Sequence, residues 1–349
     1  LKNFKPEPDF EEFKKLILGT IEPTRLPVTD LYINDEILQQ FVEEILDRTW
    51  VPRDENLDKY YQNYVLCYKQ MGFDYVPLHF WIETTFTNFP KPERWISTGS
   101  MGLVRNEHEF ESFPWNDIGI DDRHLGSIEK FLPEGMKIMA VGGDFQELLD
   151  VIVGTENFFF MMYDQPELLE RIIQMWFGIR LKMNSELISR DSVGGFFNCA
   201  DLGSKSATLI APDYIRKHFL PTWTSYGRKA HDADKMYWFH SCGNIYKDHV
   251  IDDLINVAKI DAFHSFQDTI MPVQDFKRVY GEQIATLGGI DVDVITRLEG
   301  DDLRKHVRSV FHECAPGGRY GAGTGNSVAA YVPLKNWLLL LEEALAYRY

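Results

Sequence analysis

Apolar positions along the chain recur with two periods. Over residues 35–47 they fall at Ile37, Leu38, Phe41, Val42, Ile45 and Leu46, the spacing of one helix face, and residues 57–71 repeat the pattern. Residues 72–80 then read as a first buried strand. Beyond them, short apolar runs predict strands over 137–142, 193–199, 237–240, 262–265, 284–288 and 319–322. Longer stretches of helical period separate or follow these runs, over 166–189, 212–229, 245–257, 272–280, 298–314 and 334–347. Residues 95–134 are less regular and are expected to supply one strand and long loops.

Regular alternation of this kind demands parallel strands covered by helices. The predicted fold is α/β: a single (β/α)8 TIM barrel spanning residues 1–349, with a helical extension over 1–70 and the barrel over 71–349. A doubly wound sheet is the alternative, but no glycine-rich turn follows the first strand. The Gly142-Gly143-Asp144-Phe145 turn is not a dinucleotide fingerprint.

In such a barrel, chemistry sits at the carboxyl ends of the strands. His240 and Cys242 stand at one such end. As an i,i+2 pair leaving a strand they point to the same side, and imidazole plus thiolate suits zinc. Two ligands leave a site incomplete, and Asp201, Cys199, His264, Asp291 and Glu83 are all placed to supply the third. Asp201 is the first candidate for a catalytic acid/base or for orienting substrate, with Asp291 second. His79 and Glu83 leave the first strand, and with His264 and Asn326 they are the candidate substrate-binding residues.

Several segments together resemble the uroporphyrinogen decarboxylase superfamily. They are Ala200-Asp201-Leu202-Gly203, Ile210-Ala211-Pro212, His240-Ser241-Cys242-Gly243-Asn244, Asp261-Ala262-Phe263-His264, Leu287-Gly288-Gly289-Ile290-Asp291 and Ala315-Pro316-Gly317-Gly318. The resemblance implies a single barrel and one of two chemistries. Cofactor-free decarboxylases of the family carry an N-terminal arginine-rich segment, and here only Arg25 has similar placement. The other branch, corrinoid-dependent methyltransferases, holds zinc with a His-x-Cys pair and a distant cysteine. His240 and Cys242 match the pair, so the resemblance implies catalysis through His240 and a metal site on His240 and Cys242. The stretch where the third cysteine belongs, residues 321–326, has none. Cys314 falls at the opposite mouth of the barrel, a strand length of roughly 17–20 Å away, against a zinc–sulfur bond of about 2.3 Å.

The implied activity is methyl transfer from a small methylated substrate to a corrinoid protein. A methoxylated aromatic is preferred as donor, because aromatic residues are abundant at 14% and the third cysteine is missing. The alternatives are a metal-free decarboxylase using Asp201 and a methylcorrinoid:thiol methyltransferase. Composition narrows the partners. A formal net charge of -17 argues against nucleic acid and anionic membranes. Four scattered cysteines fit a reduced, cytoplasmic setting. The first residues lack a signal peptide's apolar region, and no apolar run reaches the roughly 20 residues that span a bilayer.

Overall fold

The computed structural model describes residues 4–82 and 102–349. Seven strands form one sheet: β1 (Tyr75–His79), β2 (Lys137–Gly142), β3 (Val193–Cys199), β4 (Met236–His240), β5 (Ala262–His264), β6 (Ala285–Leu287) and β7 (Tyr320–Gly321). They pair in chain order, every pair parallel. Their sequences are apolar on both faces because helices cover one face and packed side chains fill the other.

The sheet is strongly curled. The rings of Tyr75 on β1 and Trp238 on β4 are 5.3 Å apart, whereas a flat sheet would separate strands three apart by about 14 Å. Phe13 and Phe197 pack against the same tryptophan, so the concave side is a filled aromatic core.

Two features differ from the sequence expectation. Among the described residues seven strands form where eight were expected, and 102–134 contribute none. That stretch instead forms helices Glu107–Ser112 and Asp122–Phe131, each started by a side chain, Asn106 and Asp121, that accepts from a backbone N–H of the first turn. The second difference is that β7 and β1 form no ladder with each other. Residues 27–33, expected to belong to a helical extension, stand between these edges. Val28 bridges Ala322 in parallel, and the Thr29 N–H donates to the Ala322 carbonyl at 2.8 Å. On the other side the Tyr75 hydroxyl donates to the Asp30 carbonyl at 2.7 Å. The chain before β1 thus combines helices Phe10–Leu18, Asp35–Glu44 and Leu57–Gln70 with an extended segment that completes the sheet's rim.

The helix expected over 212–229 is two, Pro212–His218 and Leu220–Asp232. Pro221 has no N–H to give, and its ring crowds the carbonyl one turn earlier, so the helix breaks at Phe219. At the carboxyl ends of β1 and β2, Arg180 is completely buried. Its Nη1 donates to the Phe80 carbonyl at 2.6 Å and lies 3.3 Å from the Glu147 carboxylate. Gly142 makes room for it, since a Cβ there would lie 2.0 Å from the guanidinium. No helix among the described residues is long and apolar enough to cross a membrane.

Candidate metal and active site

The site grows from the turns that leave β3 and β4. Gly243 has φ +84°, and a Cβ there would lie 2.1 Å from the Gly203 backbone. Only glycine permits both the left-handed conformation and that approach. The two turns therefore press together, with the Gly203 N–H donating to the Cys242 carbonyl at 3.1 Å. This brings Asp201 over Cys242, whose N–H donates to Asp201 Oδ1 at 3.1 Å. His240, the last residue of β4, points its Nε2 at both: 3.4 Å to Asp201 Oδ1 and 3.4 Å to Cys242 Sγ.

The three donor atoms lie within 4.8 Å of one another, and they form the metal-capable cluster found among the described residues. Their spacing fits a metal. With zinc bonds of about 2.0–2.3 Å to nitrogen, oxygen and sulfur, the edges of a tetrahedral site come to about 3.4–3.6 Å. The separations of His240 Nε2 from Asp201 Oδ1 and from Cys242 Sγ, 3.4 Å each, have that length.

A buried chain of hydrogen bonds fixes how His240 is presented. His264 Nε2 lies 3.2 Å from the Thr324 carbonyl, which only accepts, so that nitrogen carries hydrogen. Burial, reinforced by the charge of His240, holds His264 well below the usual imidazole range and therefore neutral. Its Nδ1 must then accept from His240 Nδ1, 2.7 Å away. His240 is left with Nε2 facing Asp201 and Cys242, as a metal ligand requires. Thr324 is held in turn by Asp30, a buried carboxylate that accepts from its N–H at 3.1 Å and its hydroxyl at 3.0 Å. Burial pushes Asp30 up to about 8. Asn326 donates to Cys242 Sγ at 3.1 Å and so holds the sulfur in place. Replacing His264 by alanine is expected to lower metal affinity about 10–100-fold with the fold retained, as measured by competition with a chromogenic chelator.

The charges of the metal-free site support one another. Burial alone would lower the His240 imidazole, but the neighbouring Cys242 and Asp201 outweigh it and raise it to about 10. Burial likewise opposes ionisation of Asp201, and the hydrogen bond with His240 reverses this, bringing the carboxyl to about 2. The lowered carboxyl contributes stability above its unfolded value of about 3.9, lost as pH falls toward 2. The raised imidazole contributes stability below about 6.5, lost as pH rises toward 10. Both contributions are complete only between about pH 4 and 6.5. The difference in thermal midpoint between metal-free wild type and Asp201→Asn should be largest there and shrink at higher pH. The Asp201 side chain is 44% exposed, so solvent screening keeps the difference small.

A cavity of 470 Å3 opens over the three donors. Its walls include Tyr32, Tyr60, Tyr61, Tyr64 and Trp81, with Asp35 and Arg53 also present. Of the residues expected from sequence, Asp201, His240, Cys242, His79 and Asn326 all line it. Cys199 lines it too, but burial holds its thiol well above the usual range. His264 stands behind His240 as its positioning partner and does not line the cavity. Asp291 does not reach the cavity either. Its carboxylate caps the helix Val292–Arg297, accepting from the Asp293 N–H at 2.8 Å and from the Asp268 N–H at 2.9 Å. Glu83 lies outside the described residues. Cys314 is buried at the end of helix Gly300–Cys314, outside the donor cluster.

Arg25, the arginine placed like the decarboxylases' N-terminal segment, is committed elsewhere, as are Arg105 and Arg123. Arg25 forks onto both oxygens of Asp74 at 2.9 Å and also binds Glu12. Arg105 pairs with Glu109, and Arg123 with Asp121. Asp30, Thr324 and the tyrosines of helix Leu57–Gln70 were not anticipated. Asp30 and Thr324 meet across 294 positions of sequence, and nothing local marks such a pair. The tyrosines occupy a helix face that reads as core.

A model of the uroporphyrinogen decarboxylase family matches residues 133–347. No curated protein sequence matches the chain. Among solved structures, a methyltransferase from Methanosarcina mazei is similar with a TM-score of 0.70 at 13% identity, over 96% of this chain and 98% of that one. A putative vitamin-B12-independent methionine synthase from Listeria monocytogenes gives a TM-score of 0.49 at 12% identity, over 92% of this chain and 99% of that one. The first likeness shows a shared fold along nearly the whole chain.

Proposed function

The chain belongs to the uroporphyrinogen decarboxylase family, and we propose that within it the protein is a zinc-dependent methyltransferase. It moves a methyl group from a small methylated substrate, by preference a methoxylated aromatic, to a corrinoid protein. The observation that carries this reading is the Asp201–His240–Cys242 cluster, with donor separations of metal-site length on the wall of an aromatic cavity.

Asp201, His240 and Cys242 would hold the zinc, and three protein ligands leave a position for substrate. A zinc ion there supplies Lewis acidity toward the oxygen that loses its methyl group. The residues of the chain do the rest. His264 fixes the orientation and tautomer of His240. Asn326 donates to the Cys242 sulfur and fixes its position, with Ser265 Oγ 3.6 Å from the same atom. The aromatic walls exclude water and offer ring faces and edges for an aromatic donor to pack against.

The corrinoid partner rests on the motif resemblance, supported by the fold shared with the Methanosarcina mazei methyltransferase. The decarboxylase reading weakens because Arg25, Arg105 and Arg123 are already paired. The test is anaerobic incubation of the protein with methoxyarenes, methanol and methylamines in the presence of a reduced corrinoid protein. The expected result is a methylcobalt absorption spectrum and a demethylated phenol from the methoxyarenes. Methylation of a thiol from methylcorrinoid, with no reaction of any ether, would overturn the assigned direction.

A further inference from the structure

Two residues that line the cavity each carry a buried polar atom with no hydrogen-bond partner among the described residues: His79 Nε2 and Gln146 Oε1. Their chemical identity is fixed by what each side chain does at its other end. Trp81 Nε1 donates to His79 Nδ1 at 3.2 Å, and an indole N–H only donates. The hydrogen of His79 therefore sits on Nε2, an unmet donor. Burial brings this imidazole down to about 4, so it stays neutral near pH 7. Gln146 donates through its amide nitrogen to the Asp150 carboxylate, which leaves its carbonyl oxygen as the unmet acceptor.

The two residues belong to one wall. His79 ends β1 and is paired with Val141 on β2. Gln146 lies on the helical turn Asp144–Glu147 that follows β2. Trp81 is pressed against Gly143, where a Cβ would lie 2.2 Å from its ring, so the strand end and the turn are locked together. Tyr32 meets the His79 ring edge-on, with centroids 5.1 Å apart.

A buried donor and a buried acceptor that the protein leaves without a partner select what enters the site. We propose that His79 and Gln146 form a subsite for an uncharged hydroxyl group of the substrate, so that the site takes a hydroxylated methyl ether of the methoxyphenol class. The inference rests on the methyl-transfer reading above for the ether and on the two unmet atoms for the hydroxyl. A hydroxyl accepts from His79 Nε2–H and donates to Gln146 Oε1 at once. A carboxylate would set an acceptor against the Gln146 carbonyl. An ammonium would set a donor against the His79 N–H. The cavity, at 470 Å3, has room for a one-ring compound.

Isothermal titration of the reduced protein as purified tests this without needing turnover. The probes are 2-, 3- and 4-methoxyphenol, methoxybenzene and 3-methoxybenzoate. At least one methoxyphenol is expected to bind about tenfold or more tightly than methoxybenzene, with 3-methoxybenzoate weaker than that methoxyphenol. His79→Leu and Gln146→Leu should each reduce the preference to below about threefold. His79→Gln keeps an amide donor and should restore most of it, which guards against a variant that merely folds poorly. Equal binding of phenol and ether in the wild type, failure of every methoxyphenol to bind, or survival of the preference in both leucine variants overturns the subsite. Discrimination without any methyl transfer leaves the subsite standing and removes the catalytic reading alone.

Discussion

His240→Ala and Cys242→Ser are each expected to abolish stoichiometric zinc binding and to lower methyl transfer by more than the ~10–100-fold expected from losing a hydrogen-bonding neighbour of a metal ligand. His240 is the centre of the cluster, being 3.4 Å from each of the other two donors. Its removal leaves two donors, too few to hold the ion, and also strands His264 Nδ1, which has His240 as its partner at 2.7 Å. Cys242→Ser keeps the shape of the turn but replaces a polarisable thiolate by a hydroxyl that stays protonated near neutral pH, so the fold should hold while the metal is lost. Metal analysis together with far-ultraviolet circular dichroism checks both halves of the expectation. A variant that is folded and still holds one zinc per chain would contradict the ligand assignment.

The second large effect is on stability. Arg180→Met is expected to destabilise the protein by about 3–5 kcal/mol, because it breaks a buried ion pair by removing one partner. Arg180 is fully buried, lies over the Trp176 ring and is 3.3 Å from Glu147. Asp144, also buried, draws on the same charge. Burial raises its carboxyl to about 6 and Arg180 opposes the rise. The cluster packs the carboxyl ends of β1 and β2, where Phe80 and Gly142 emerge, so its loss should also loosen the His79 wall of the cavity. Chemical denaturation measures the effect. Adding Glu147→Gln to Arg180→Met should recover part of it, since a neutral amide is less costly to bury than a carboxylate.

The alternation of helix and strand was legible because each strand is buried on both faces and reads as an unbroken apolar run. The β2 and β3 boundaries emerge at the residues the pattern indicates, 137–142 and 193–199. The rim of the sheet was not legible. Residues 27–33 make only isolated bridges and cross-chain hydrogen bonds, and two or three extended residues carry no period. The His240–Cys242 pair was legible from its spacing. The choice of Asp201 over Cys199, His264 and Asp291 was not, because it depends on Gly203 and Gly243 pressing two turns together across 40 positions. His264 illustrates the limit well. Its place after β5 was correctly expected, but whether it faces substrate or stands behind His240 depends on the Thr324 carbonyl, which no sequence pattern reveals.

The most direct test of the central claim is the zinc content of the purified, reduced, metal-replete protein. The account predicts about one zinc per chain, the single four-coordinate ion that Asp201, His240 and Cys242 can hold. A protein that is folded under those conditions and contains no zinc would contradict it.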